Sequence, residues 1–242
     1  MGQEKAQQTY WERAARPWPS LVFVVPMLLI YEAGVLLAGP SAVRNGADVW
    51  LRQFLDAIGF GQYFLLPVLT CGALLAWHHT SRDTWKLNQG LLAGMLLEAM
   101  VLAFMLVLLG QLQGSLFSRF APSQGSIAAI TPQLAQLIGY FGAGIYEEVL
   151  FRLVLLPLVV GVLRAFGFKL QASWVISILL TSFLFSAAHY QVFTGFGDAF
   201  DWFSFTFRFL AGATFGAMFV YRGFGITVGA HALYDIYVAL LM

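Results

Sequence analysis

Charge is scarce in this 242-residue chain: 13 Lys or Arg and 12 Asp or Glu make up 10% of it, while 60% is hydrophobic and mean hydropathy is +0.76. So few charged groups cannot cover the surface of a soluble globule, which leaves a polytopic membrane protein. A basic excess is lacking too. The net charge of +1 cannot neutralise a run of phosphates, so nucleic acid is excluded as a partner. Cysteine occurs once, as Cys71, which excludes a disulfide framework and a multi-cysteine zinc site. Neither His189 nor His231 is followed by Glu, so the helical zinc-protease string HExxH is missing, and no serine stands in a GxSxG frame. With no internal repeat, low-complexity tract or linker, residues 1–242 read as one integral membrane domain.

What is present is apolar length. Crossing roughly 30 Å of hydrocarbon takes about 20 residues at about 1.5 Å rise each. Seven runs qualify: 20–38, 60–77, 89–112, 133–165, 172–190, 202–221 and 224–241. Residues 44–59 form either an interfacial amphipathic helix or part of an eighth element, so the expected fold is an all-α transmembrane bundle of about seven or eight spans. In the fourth run Pro157 removes an intrahelical donor, which predicts a kink, a tilt or an interfacial tail. Residues 1–19 are polar, and the run after them is too long for a signal-peptide core, so it reads as a retained span. Placing the N-terminus in the cytoplasm puts Lys5, Arg13, Arg16, Arg82, Lys86, Arg164, Lys169 and Arg222 inside and Arg44, Arg52 and Arg119 outside. This satisfies the positive-inside rule and suggests a plasma (inner) membrane location. The pairs Gly90/Gly94, Gly212/Gly216 and Gly225/Gly229 are GxxxG spacings that predict close helix packing.

Nine ionisable side chains fall inside these runs: Glu32, Glu98, Glu147, Glu148, Arg152, His189, Arg208, His231 and Asp235. Each costs on the order of 2.5 to 3.5 kcal/mol to insert, so each demands a partner, a wet cavity or a chemical role. Glu148 and Arg152 are four apart and pair along one helix face, with Glu147 turned about 100° away. One carboxylate is then held ionised while the other is left to act as a base in a desolvated pocket. Phe185 and His189 are one turn apart on the fifth run, and His231 and Asp235 are likewise spaced on the seventh. Two histidines and several carboxylates suffice to activate water, with or without a metal. Each group also has a bland reading: a structural ion pair for Glu148 and Arg152, an interfacial histidine for His189, a hydrogen-bonded pair for His231 and Asp235. Glu32, Glu98 and Arg208 have no assigned role, and Arg208 is expected to pair with one of the two glutamates.

The strings Glu147-Glu148-Val149-Leu150-Phe151-Arg152, Phe185-Ser186-Ala187-Ala188-His189 and His231-Ala232-Leu233-Tyr234-Asp235 fit EExxxR, FxxxH and Hxxx(N/D) in order. In these the chain resembles the CAAX prenyl protease and bacteriocin-processing (Abi) family of intramembrane endopeptidases. The resemblance covers residues 133–242, the half that carries the motifs. It implies that Glu147 is the base, that His189 holds the same water, that Glu148 and Arg152 form the supporting pair, and that His231 and residue 235 face the oxyanion. The best-described members have Asn at the last position. An ionised Asp235 cannot donate a hydrogen bond, so it would instead orient His231, stay protonated, or complete a Glu147, His189, His231, Asp235 ligand set for zinc.

The expected activity is thus hydrolysis of a peptide bond in a membrane-tethered substrate, prenylated or anchored by a C-terminal span. A metal-free glutamate mechanism is favoured, with no cofactor required and zinc as the alternative. The reading from a different class is a transporter, immunity or scaffolding protein with a buried Glu, His and Arg network. Gly195-Phe196-Gly197-Asp198 and Tyr234-Asp235 mimic an aspartyl intramembrane protease, but in reversed order. One conflict remains in the depths. Counted from the inner ends of the spans, Glu147 and His189 lie at about 24 to 26 Å and His231 at only about 10 Å. Either the connection at 221–225 is sunk into the bundle, or the span ends are displaced by a turn or two.

Overall fold

A computed structural model describes residues 9–39, 42, 44–117, 133–195 and 197–241. Lys5 and Arg119, two of the orientation markers, lie outside the described residues. Helix α1 (Tyr10–Ala14) opens with a capping box in which Thr9 and Glu12 satisfy each other's backbone donors. Helix α2 (Pro17–Ala38) starts with proline in its first turn, where no N–H is required. Asn45 caps α3 (Gly46–Ala57), accepting from the Ala47 N–H at 2.9 Å. Then come α4 (Leu65–Ser81) and α5 (Gln89–Phe117). Helix α6 (Gln133–Gly142) runs on through two π-helical stretches, Ala143–Glu147 and Val149–Leu155, into α7 (Leu156–Ala165). Helices α8 (Leu170–Ala187), the single turn α9 (Gln191–Thr194) and α10 (Trp202–Leu241) complete the chain.

The all-α bundle matches expectation, with differences at the span level. Four described helices are long and apolar enough to cross a membrane: α2, α5, α8 and α10. Helix α4 is one turn shorter than a typical span at 17 residues. Helix α3 has 12 residues, about 18 Å, too short to cross alone, which leaves the amphipathic reading of that segment. The irregularity expected at Pro157 lies just before it: the helix is continuous and winds as a π-helix over Val149–Leu155, and Pro157 follows as the second residue of α7. The runs 202–221 and 224–241 join without a loop, because α10 changes direction at Gly223 alone.

Gly223 resolves the conflict in depths. Its φ of 77° and ψ of 174° belong to a backbone region that side chains rarely enter, and a Cβ there would strike the Ala15 carbonyl. The turn is buried, with Phe224 and Gly225 behind it, under the junction of α1 and α2. The last half of α10 therefore begins inside the bundle, and His231 reaches the level of Glu148. The packing expected of the GxxxG glycines is seen at Gly94 against Tyr10, Gly212 and Gly216 against α8, Gly225 against Ser20 and Gly229 against Phe23. Gly90 has only Asn88 nearby.

Segments assigned to one side of the membrane meet one another. Arg16 pairs with Asp83 at 3.1 Å, and Arg222 pairs with Glu98 while donating to the Trp11 carbonyl at 2.9 Å. Tyr10 also donates to Glu98, at 2.7 Å, and burial together with that carboxylate pushes its hydroxyl up to about 12. Arg44 and Arg52 converge instead on Asp48, at 2.7 and 2.6 Å. Glu32 accepts from Arg52 at 2.8 Å and from the Tyr146 hydroxyl. The expected partner of Arg208 was a glutamate; both glutamates are taken, and Arg208 pairs with Asp198 at 2.6 Å.

Substituting Gly223→Ala is expected to lower stability by at least about 1–3 kcal/mol, the strain of a side chain at that φ/ψ. A thermal unfolding midpoint in detergent equal to that of the parent protein would show that the turn is not under this constraint.

Candidate active site

The π-helical winding around Glu147 and Glu148 is the first local determinant. Such stretches replace i→i+4 by wider i→i+5 bonding and occur mostly at functional positions. Gly144, one turn earlier, lets this helix lie directly on α10: a Cβ would come within 2.9 Å of the Ala232 nitrogen and the Val228 carbonyl oxygen. That contact sets both glutamates opposite His231. Helix α8 brings His189 from its C-terminal end, with Asp198 N–H donating to the His189 carbonyl at 2.8 Å and fixing the chain after it.

Glu148 is fully buried and ion-paired with Arg152, Nε to Oε2 at 3.1 Å, as the four-residue spacing predicts. Its other oxygen accepts from His231 Nδ1 at 2.7 Å. Arg152 donates to the Gly212 carbonyl at 3.0 Å and lies over the ring of Phe185 at 4.5 Å. A buried cation and a buried carboxylate therefore neutralise each other, and the pair is enclosed by aromatic rings.

Glu147 is placed differently. Its Oε1 accepts from the Asn45 side-chain amide at 2.8 Å. Its Oε2 has no hydrogen-bond partner among the described residues and stands 3.8 Å from Nε2 of both His189 and His231. These separations are too long for direct hydrogen bonds. Both rings are oriented from their far side. His189 Nδ1 is 2.7 Å from the Phe185 carbonyl, which can only accept, so Nδ1 carries the proton and Nε2 presents a lone pair when the ring is neutral. His231 Nδ1 donates to Glu148, and its ring stacks on Phe215 at 4.5 Å and 17°. The group hydrogen-bonded to His231 is thus Glu148. Asp235 stands 3.9 Å from the opposite nitrogen and is partly open to the cavity.

All six residues singled out in the sequence come together. Glu147, His189, His231 and Asp235 line a cavity of about 460 Å³ whose remaining wall is largely aromatic, including Phe185, Phe203, Phe207 and Phe215. Glu148 and Arg152 lie behind this lining. The decoy aspartate does not join them, since the Asp198 carboxylate is exposed and held by Arg208. Among the described residues no group of three His, Cys, Asp or Glu side chains is arranged to hold a metal ion.

Two residues at this site escaped the sequence reading. Asn45 splits its amide, giving Oδ1 to the start of α3 and Nδ2 to Glu147. Tyr146 ties the same helix to Glu32. An Asn before Gly46-Ala47-Asp48 is a legible helix cap, but nothing local connects it to a glutamate 102 positions away.

The fold is a membrane-embedded α-helical bundle holding a glutamate and two histidines in an internal cavity. Residues 129–237 match the family model described as type II CAAX prenyl endopeptidase Rce1-like, so this stretch of the chain is similar to that family. Family and apolar helices together make it an integral membrane protein. No curated protein and no solved structure matches the chain. The matched stretch contains the six motif residues; Asn45, Glu32 and Arg52 lie before it.

Replacing Arg152 by Met is expected to destabilise the bundle by about 3–5 kcal/mol, because the Glu148 carboxylate loses its counter-charge. Adding Glu148→Gln to that variant should restore part of the loss. A double variant no more stable than Arg152→Met in denaturant titrations would contradict the pairing as the origin of the effect.

Proposed function

We propose that the chain is an intramembrane endopeptidase that hydrolyses a peptide bond in a membrane-tethered substrate, prenylated or otherwise lipid-anchored, with water activated by Glu147 and His189. The observation that carries this reading is the unpartnered Glu147 Oε2, which faces two histidine nitrogens from two other helices across gaps of 3.8 Å inside a cavity. A water oxygen placed within hydrogen-bond distance, about 2.8 Å, of Glu147 Oε2 and a histidine Nε2 would span a gap of this length.

Glu147 takes a proton from that water as its oxygen attacks the substrate carbonyl carbon, and His189 Nε2 orients the same water. The C–O bond forms and the carbonyl becomes an oxyanion. His231, when protonated on both nitrogens, faces that oxyanion with Nε2–H while Nδ1–H stays on Glu148. Breaking the C–N bond releases an amine, which takes the proton from Glu147. Glu148 and Arg152 act through His231 and touch no reacting atom. Ionised Asp235 repels an oxyanion, so its role is to favour the doubly protonated His231. The bilayer confines enzyme and tethered peptide to the same layer and raises their effective concentration. The N-terminus lies on the cytoplasmic side by the basic-loop bias.

Zinc is the alternative, with the two Nε2 atoms, Glu147 and Asp235 as its donors; it would polarise the carbonyl and lower the pKa of bound water. Cleavage of a prenylated peptide by purified protein before and after chelation, with bound metal quantified on the same samples, decides between the two. Unchanged cleavage by metal-free protein supports the glutamate mechanism.

Glu147→Gln and His189→Ala are each expected to lower kcat by at least about 100-fold while the variants remain folded. Proton-coupled flux with no cleavage of any tethered peptide would make the network a relay instead. Asn45→Ala releases Oε1 and should lower kcat roughly 10- to 100-fold at nearly unchanged KM. Wild-type kcat in that variant would show that the cap supports only the helix.

A further inference from the structure

A second cavity, of about 440 Å³, is formed by α3 and the connection to α4 and shares no lining residue with the one around Glu147. Its volume suits a small polar ligand. It opens on the surface, since Gln53, Asp56, Phe60, Gln62 and Tyr63 in its wall are exposed. Two guanidinium groups, of Arg44 and Arg52, stand over the Tyr63 ring at 5.0 and 5.1 Å from its centre. Their side chains remain 21% and 18% accessible. Among the described residues Arg44 commits two of its five N–H groups, to Asp48 and to the Tyr63 hydroxyl, which leaves three for a ligand. Arg52 is held more fully, by Asp48, Glu32 and the Tyr63 carbonyl. Asp56, in the same wall, pairs with neither arginine, since both are turned to Asp48 and Glu32.

These surroundings select one class of ligand. Asp48 and Glu32 already balance the two guanidinium charges, and Asp56 adds a further negative charge, so a purely anionic group gains little here. A zwitterion meets both signs: a phosphodiester accepts from Arg44, and a primary ammonium donates to Asp56. Phe54, Ile58, Phe60 and Phe64 are exposed on the same helix and connection. Apolar side chains on a short amphipathic helix belong at the boundary between headgroups and acyl chains, so the ligand that brings phosphate and ammonium to this depth is a membrane lipid.

We infer that this cavity binds the headgroup of a phosphatidylethanolamine-type lipid, with its phosphate on Arg44 and its ammonium on Asp56. The site is joined to Glu147 by contiguous hydrogen bonds. Asp48, which holds both arginines, accepts from the Tyr31 hydroxyl at 2.9 Å. The Tyr31 oxygen accepts the Asn45 N–H at 3.2 Å, and the Asn45 side-chain amide donates to Glu147 at 2.8 Å. A headgroup that fixes Arg44 therefore steadies the start of α3 and holds Asn45 on Glu147. This coupling rests on the peptidase reading above, whereas the binding does not.

The test uses the full-length protein, delipidated in uncharged detergent, and four dioleoyl lipids: phosphatidylethanolamine, phosphatidylcholine, phosphatidylglycerol and diacylglycerol. Bound lipid is read by native mass spectrometry. The parent protein is expected to bind the ethanolamine lipid at least about twofold more tightly than any of the others. Arg44→Gln should weaken that binding about tenfold. Asp56→Asn, at an exposed position, should abolish the preference over choline. Equal affinity for the ethanolamine and choline lipids in the parent protein overturns the assignment, as does a preference for phosphatidylglycerol or one that survives Asp56→Asn. Soluble glycerophosphoethanolamine binding as tightly as the lipid overturns the membrane as its source. With a prenylated peptide, the ethanolamine lipid should raise kcat at least about twofold in the parent protein and leave it unchanged in Asn45→Ala. Selective binding without a change in the parent's kcat overturns the coupling. A protein that binds the lipid selectively and cleaves no tethered peptide overturns the peptidase reading and leaves the headgroup site standing.

Discussion

Burying an ionised carboxylate among helices that have no water to spare is the constraint from which the rest of this structure follows. Glu148 meets it with a guanidinium four residues along its own helix and an imidazole from the last helix. Because both of its oxygens are engaged, it fixes the distance between the π-helical segment and the second half of α10. It also dictates which nitrogen of His231 is left to face the cavity. Gly144 and Gly223 are the backbone conditions for that contact, one permitting the approach and the other starting the last helix at the right level.

Two adjacent glutamates are thereby given opposite environments. Glu148 lies against Arg152 and His231, whereas Glu147 keeps one oxygen anchored to Asn45 and the other between two histidines. The division arises from position on the helix and not from chemistry, since the side chains are identical. A second network, Tyr146 with Glu32, Arg52 and Asp48, holds α3 against the same helix, so the short amphipathic segment is bound to the bundle through charge as well as apolar packing.

Much of this was legible in the amino-acid sequence, for a physical reason. Ionised groups inside apolar runs stand out because lipid penalises them, and their four-residue spacings within one helix are local. Glu148 with Arg152, and the gathering of His189 and His231, follow from those two facts together with the family resemblance. What the sequence could not show depends on contacts between distant segments or on backbone winding. Asn45 reads as a cap and nothing more, the partner of Arg208 is Asp198 from a connecting loop, and the π-helical stretches have no compositional mark. Span ends drawn from hydropathy separated 202–221 from 224–241, whereas a single glycine turn joins them without a loop.

The order of the contributing helices has a bearing on biogenesis. His231 comes from the final helix and must pass the Gly223 corner beneath Ala15 before it can meet Glu148. During synthesis the earlier helices enter the bilayer with an incomplete centre, and the nascent bundle carries Glu148 without its imidazole partner. The buried centre is therefore completed only when the second half of the last helix has inserted and packed beneath the amino-terminal junction, which makes its assembly a late event in synthesis.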